Sequence, residues 1–125
     1  MLEDREAMPT VAVKDLAAAR RFYEGTLGLV PEGGEDPEVV LYNTGGGRLV
    51  VYRSQLAGTN QATAVTWSVG DGVDDLARAL RAKGVRFERY DFPGATMDGD
   101  VHVMDGLRVA WFKDPDGNIH SLVSG

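Results

Sequence analysis

The sequence predicts an α+β fold: two βαβββ modules side by side, curled mixed sheets around a cleft, helices on the outer face. Three observations lead there. Near the end of the chain two apolar runs flank Asp114-Pro115-Asp116-Gly117-Asn118. Pro fixes one φ there, Gly supplies a positive φ, and Asp and Asn bond locally, so Val109 to Val123 reads as a β-hairpin. The order strand, helix, three strands occurs twice, roughly over Thr10 to Arg53 and Ala64 to Val123, with only loose similarity of letters. Each half has a single amphipathic helix, which covers one face of its sheet and leaves the other to meet the repeat. The chain therefore reads as one domain built of two modules, about residues 8–54 and 63–125.

The elements follow in order. Thr10 to Val13 is a short β-prone run, and Asp15 is placed to cap a helix with its side-chain oxygen. Leu16, Ala19, Phe22 and Tyr23 recur at helical spacing, and Gly25 and Gly28 mark the exit. Leu29 to Val30 starts a second strand before a loop rich in Gly and acid. Val39 to Tyr42 and Leu49 to Tyr52 form strands across Asn43-Thr44-Gly45-Gly46-Gly47. That glycine run lacks a following helix and a Lys-Ser/Thr pair, so it reads as a turn rather than a phosphate loop. Ser54 to Ala62 is a polar linker and Ala64 to Val69 a strand. Three acids between Asp71 and Asp75 open the second helix, Val73, Leu76 and Leu80 form its apolar stripe, and Gly84 ends it. Val85 to Tyr90 is a strand, Asp91 to Gly99 a loop, and Val101 to Met104 a strand leading into the closing hairpin.

Composition narrows the function classes. The 125 residues fit one domain able to bury roughly two thirds of its unfolded surface. There is no Cys, which excludes disulfides, thiolate metal sites and Cys nucleophiles. The formal charge of −6, with no basic cluster, argues against a nucleic-acid partner. Met1 to Met8 holds charge and no apolar run, so neither a signal peptide nor a membrane span is expected, and a cytoplasmic location follows. No Ser-His-Asp arrangement or nucleophile elbow is in sight.

The short first strand, V-K-D-L-A-A-A-R-R-F-Y-E-G-T-L-G-L and the closing W-F-K-D-P-D-G-N-I-H-S-L together resemble the vicinal oxygen chelate superfamily. That group includes glyoxalase I, bleomycin-resistance-type binding proteins and extradiol dioxygenases. The resemblance spans nearly the whole chain and implies the paired-module fold. Members that use a metal hold it with His and Glu side chains, one from each of four strands, so that a divalent ion polarises two neighbouring substrate oxygens. Carried across by motif spacing, those positions fall at Met8, at Val50 or Val51, at Ala64 and at Ser121. None is a good ligand, so no metal and no cofactor is expected.

The remaining candidates for a ligand cleft are Trp67, Trp111, Tyr42 and Tyr52, as aromatic walls for a planar molecule. His102 is a candidate hydrogen-bond partner or acid/base group, Arg53 a partner for an anion, and Ser121 the residue at the fourth family position. Core packing is the alternative for each aromatic, and a solvated strand end for Arg53. His120 adjoins Ser121, so by strand alternation it should face the helix layer or an interface unless a bulge turns it inward. Phe22 and Tyr23 read as helix packing, Asp114 and Asp116 as turn formers. The leading expectation is a metal-free binding protein of the glyoxalase/bleomycin-resistance type, sequestering or sensing a small, partly aromatic ligand. The alternatives are a lyase, isomerase or dioxygenase of the same superfamily with a relocated metal or a His102-centred site, and a structural dimer whose cleft its own side chains fill. The resemblance also implies a homodimer.

Overall fold

A computed structural model describes all 125 residues as two helices and ten strands in two separate mixed sheets. The first half runs β1 (Thr10–Val13), α1 (Leu16–Arg20), β2 (Val30–Glu32), β3 (Val39–Asn43) and β4 (Arg48–Arg53). Asp15 caps α1 as its sequence position suggests, accepting from the amides of Ala17 and Ala18 at 3.0 and 3.2 Å. After Arg20 the helix widens into a π turn over Arg21–Thr26, which carries Phe22 and Tyr23. The sheet order is β1-β4-β3-β2, with β1 parallel to β4. The second strand lies slightly later than the sequence suggests. It runs through Pro31, which an edge strand tolerates because no ladder bond is needed on its outer side.

The second half runs β5 (Thr63–Ser68), a 3₁₀ turn at Gly70–Gly72, α2 (Val73–Ala82), β6 (Phe87–Glu88), β7 (Thr96–Asp98), β8 (Val101–Met104), β9 (Leu107–Lys113) and β10 (Ile119–Val123). Its sheet order is β5-β10-β9-β8-β7, and β6 also pairs with β9. The far edge of β9 is thus shared: β8 pairs along Leu107–Val109 and β6 along Trp111–Phe112. In the first half β2 follows the helix and pairs with β3, and β6 takes that place here. The β7–β8 hairpin is then an insertion into the repeat. Thr96–Asp98 lies inside the stretch expected as loop, and of Val85 to Tyr90 only Phe87 and Glu88 pair, on an edge of β9 whose first part β8 occupies.

Two apolar cores lie under the helices. One joins Leu16, Ala19 and Tyr23 to Val11, Val13, Val40, Tyr42, Leu49 and Val51. The other joins Val73 and Leu80 of α2 to Val101, Ala110, Phe112 and Leu122. Phe22, Leu27 and Trp67 pack against both and make the interior continuous. No helix is long and apolar enough to cross a membrane.

The turn in the closing hairpin does more than reverse the chain. Asn118 Nδ2 donates to the Ala12 carbonyl at 2.7 Å, and Asp116 Oδ1 accepts from the Lys14 amide at 3.2 Å. The Asp116 carbonyl also lies 2.9 Å from where a side chain on Gly58 would start, and Gly58 has φ +83°. The turn of the second half is therefore hydrogen-bonded to the first strand and its exit and packed closely against the linker.

Candidate functional site

Strand alternation decides which side chains can meet a ligand. On β9, Ala110 and Phe112 face α2, so Trp111 faces the open side of the sheet. On β8, Val101 faces the core, so His102 points the same way as Trp111. Ser121 pairs with Trp111 and donates to Thr66 Oγ1 at 3.0 Å, also on the open side. The register skips a residue where β10 meets β5, at Ile119/His120, and Thr63 there accepts from Trp111 Nε1 at 3.2 Å.

His102, Trp111, Tyr90 and Phe92 form one aromatic cluster. His102 meets Trp111 edge-on with centroids 4.8 Å apart, Tyr90 meets Trp111 at 5.3 Å and 83°, and Phe92 lies over Trp111 at 5.4 Å. His102 is fully buried, whereas Phe92, in the loop before β7, stays 39% exposed. His102 Nε2 sits between the amide and carbonyl of Tyr90, at 3.0 and 3.2 Å. Two polar atoms of the cluster, His102 Nδ1 and the Tyr90 hydroxyl, are buried with no partner. A buried polar group left unpaired costs about 1–3 kcal/mol, so both are poised to bond to something that enters the cluster.

A second polar chain lies on the opposite side of the sheet, against the helices. His120 is fully buried, stacked on Phe112 at 5.0 Å and 9°, with Trp67 beside it in nearly the same plane at 6.2 Å and 11°. Trp67 Nε1 has only a hydrogen to give, and it donates to His120 Nδ1 at 3.0 Å. The ring hydrogen therefore sits on Nε2, which donates to the Tyr23 oxygen at 3.0 Å, and Tyr23 donates to Asp114 Oδ2 at 2.7 Å. Asp114 is itself buried and also accepts from the amides of Asp116 and Asn118 and from Asn118 Nδ2. Burial pushes His120 down to about 4, and burial together with the Asp114 carboxylate lifts the Tyr23 phenol far above its usual range. The chain Asp114–Tyr23–His120–Trp67 is thus neutral except at its carboxylate end.

The structure brings three of the sequence candidates, His102, Trp111 and Ser121, onto one face. Tyr52 lies on the corresponding open face of the first sheet and is 39% exposed. Trp67 and Tyr42 lie on the helix side instead: Trp67 bonds to His120, and Tyr42 stacks on Tyr23 and donates to Glu24 at 2.8 Å. Their strands carry Val65 and Val40 into the same core, so alternation sends both aromatics inward. Arg53 is paired with Glu38 at 3.0 Å at a strand end. His120 faces the helix layer. Sequence reasoning did not single out Tyr90 and Phe92. Their signal was two aromatics two residues apart in the Y-D-F-P-G loop, a place where core packing does not call for them. It also gave Asp114 and Tyr23 their local roles without the bond that joins them across 91 residues.

The four family metal positions carry a thioether at Met8, an alkyl group at Val50 or Val51, a methyl at Ala64 and a hydroxyl at Ser121 whose hydrogen already goes to Thr66. Nowhere do three His, Asp or Glu side chains converge. This donor set does not fit a divalent ion.

Comparison with known proteins agrees with the fold. The bleomycin-binding protein from bleomycin-producing Streptomyces verticillus, solved with copper(II)-bleomycin, is 25% identical over 100% of this chain and 99% of its own, with a TM-score of 0.71. The bleomycin resistance determinant of transposon Tn5 is 19% identical over 96% and 97%, with a TM-score of 0.72. The fosfomycin resistance protein FosX from Mesorhizobium loti is 16% identical over 100% and 94%, with a TM-score of 0.69. No curated protein sequence matches the chain. The family model for the glyoxalase/bleomycin resistance protein/dioxygenase superfamily matches residues 7–121, from just before β1 to the middle of β10. With that match spanning both modules and the closing hairpin, the chain belongs to the glyoxalase/bleomycin resistance protein/dioxygenase superfamily.

Proposed function

We propose that this protein binds a small, planar, partly aromatic molecule without a metal, on the open face of the second sheet, and sequesters it. The observation that carries the reading is the cluster of Trp111, Tyr90, Phe92 and His102 with its two unpartnered buried polar atoms. Aromatic faces supply stacking area at low conformational cost, and a few fixed polar atoms give orientation. Phe92 is the movable wall, since it sits on a loop and is partly exposed while His102 beneath it is sealed. A ligand enters by displacing Phe92 and takes its place over Trp111. The copper(II)-bleomycin complex of the Streptomyces verticillus protein supports a ligand-binding role for this fold, and the unsuitable donor set supports binding without a metal. We place the protein in the cytoplasm and expect a homodimer, in which a second copy covers the open faces.

The test is Trp111 fluorescence in a Trp67→Phe variant, titrated with copper-free bleomycin and a panel of planar antibiotics and aromatic metabolites. At least one should give saturable quenching, and in titration calorimetry Trp111→Ala should weaken binding of that compound by about 100-fold, as loss of a stacked indole implies. If none saturates, the cluster is a self-filled cleft and the binding reading fails. A second reading, an enzyme of the superfamily centred on His102, is favoured by its free Nδ1. It requires that His102→Gln abolish turnover of a bound compound while binding survives.

A further inference from the structure

We propose a second binding site, on the helix side of the same sheet, for a small uncharged apolar molecule of about one ring. A cavity of about 130 Å³ opens there between α2, the chain leaving the π turn and the sheet. All eight side chains that line it are hydrophobic, among them Leu27, Leu29, Leu76, Leu80, Trp67 and Phe112. It lies apart from the aromatic cluster: Phe112 and Trp111 are successive residues on β9 and face opposite ways.

Three features choose the occupant. The volume falls in the range where an apolar cavity of about 150 Å³ takes up benzene or xenon rather than water. The only polar atom in the lining side chains, Trp67 Nε1, is already bonded to His120, so nothing remains to hold a charged or hydroxylated ligand. The walls are also fixed before any ligand arrives, because Trp67 is hydrogen-bonded to His120 and Phe112 stacks on the same imidazole. A rigid apolar recess cannot close on itself, and filling it recovers packing that the empty cavity forgoes. Leu76, on the apolar stripe of α2, lines the cavity and is also 40% exposed, so it stands where the cavity meets solvent.

The experiment uses the full chain with Trp111→Phe, which leaves Trp67 as the only indole, and toluene as the probe. Methyl NMR shifts of Leu27, Leu29, Leu76 and Leu80 and the Trp67 emission are followed together. Saturation with a Kd of about 1 mM or tighter is expected. Leu76→Asp, which puts a charge in the mouth at a partly exposed helix position, should weaken binding at least about 10-fold. Leu76→Trp should plug the cavity and abolish it, which keeps the test valid if the Asp variant folds poorly. Shifts that stay linear to the solubility limit would overturn the proposal. So would shifts centred on His102 and Tyr90. Methyl shifts that depend on protein concentration without toluene, together with a sedimenting dimer lost in Leu76→Asp, would assign the recess to a second copy and also overturn it.

Discussion

His120 makes the stability of this protein depend on pH in a way that can be calculated. Its Nδ1 must stay unprotonated to accept from Trp67, and burial has moved its pKa from 6.5 down to about 4. As pH falls, the unfolded chain therefore takes up a proton first. Above about pH 6.5 the stability is at its plateau, and between pH 6.5 and 4 it declines. The linkage relation gives a loss of about 2 kcal/mol at pH 5 and about 3 kcal/mol at pH 4 from this residue alone. Urea unfolding at pH 7.5, 6 and 5 measures it, with His120→Gln as the control. Glutamine cannot titrate, and its amide can still accept from Trp67 and donate to Tyr23. The variant should start lower, having lost the stack on Phe112, and then lose about 2 kcal/mol less than the parent between pH 7.5 and 5. Carboxylates titrate in both proteins and cancel in the difference. Parallel curves over that range would refute both the tautomer and the burial argument behind it.

Other outcomes follow from the same geometry. Tyr23→Phe removes the hydroxyl that joins Asp114 to His120 and should cost about 1–3 kcal/mol in urea unfolding, with near-UV dichroism of Trp67 altered. Gly58→Ala forces a methyl toward the Asp116 carbonyl from a backbone with φ +83°, so it should cost more than about 1 kcal/mol and lower the melting temperature. Titration calorimetry with zinc, nickel and manganese should show no stoichiometric uptake; tight one-to-one binding would overturn the metal-free reading. Asp114→Asn swaps an acceptor for a donor opposite Asn118 Nδ2 and should destabilise by about 2 kcal/mol or more, read in the same unfolding assay.

The fold was legible wherever local chemistry and periodicity agreed. Asp15 ahead of Leu16, Ala19 and Tyr23 fixed the first helix, and Asp114-Pro115-Asp116-Gly117-Asn118 between two apolar runs fixed the closing hairpin. The β7–β8 insertion was less visible, because Thr96–Asp98 is exposed on every side and carries no alternation to read. Within the candidate site, strand parity was the missing quantity. Trp67 and Trp111 look alike in sequence, each flanked by strand formers. Only the pairing of β5 and β9 with their neighbours shows that one faces helices and the other does not. The link from Tyr23 to Asp114 lies beyond any local rule, since each residue already has a sufficient local explanation.

The placement of β10 has a consequence for the order in which the molecule can be made. It is the last strand of the fold, yet it sits in the middle of its sheet between β5 and β9. The turn just before it also ties down Ala12 and Lys14 at the opposite end of the sequence. A chain emerging from the ribosome can pair β1 to β4 early, but the second sheet stays unfinished until β10 is free of the exit tunnel, and β5 waits meanwhile with an open edge. Closure of the second sheet thus waits for β10, and the turn before that strand docks on the first half. Truncation after Asn118 should therefore unfold the second module and, by removing His120 from Tyr23, destabilise the first.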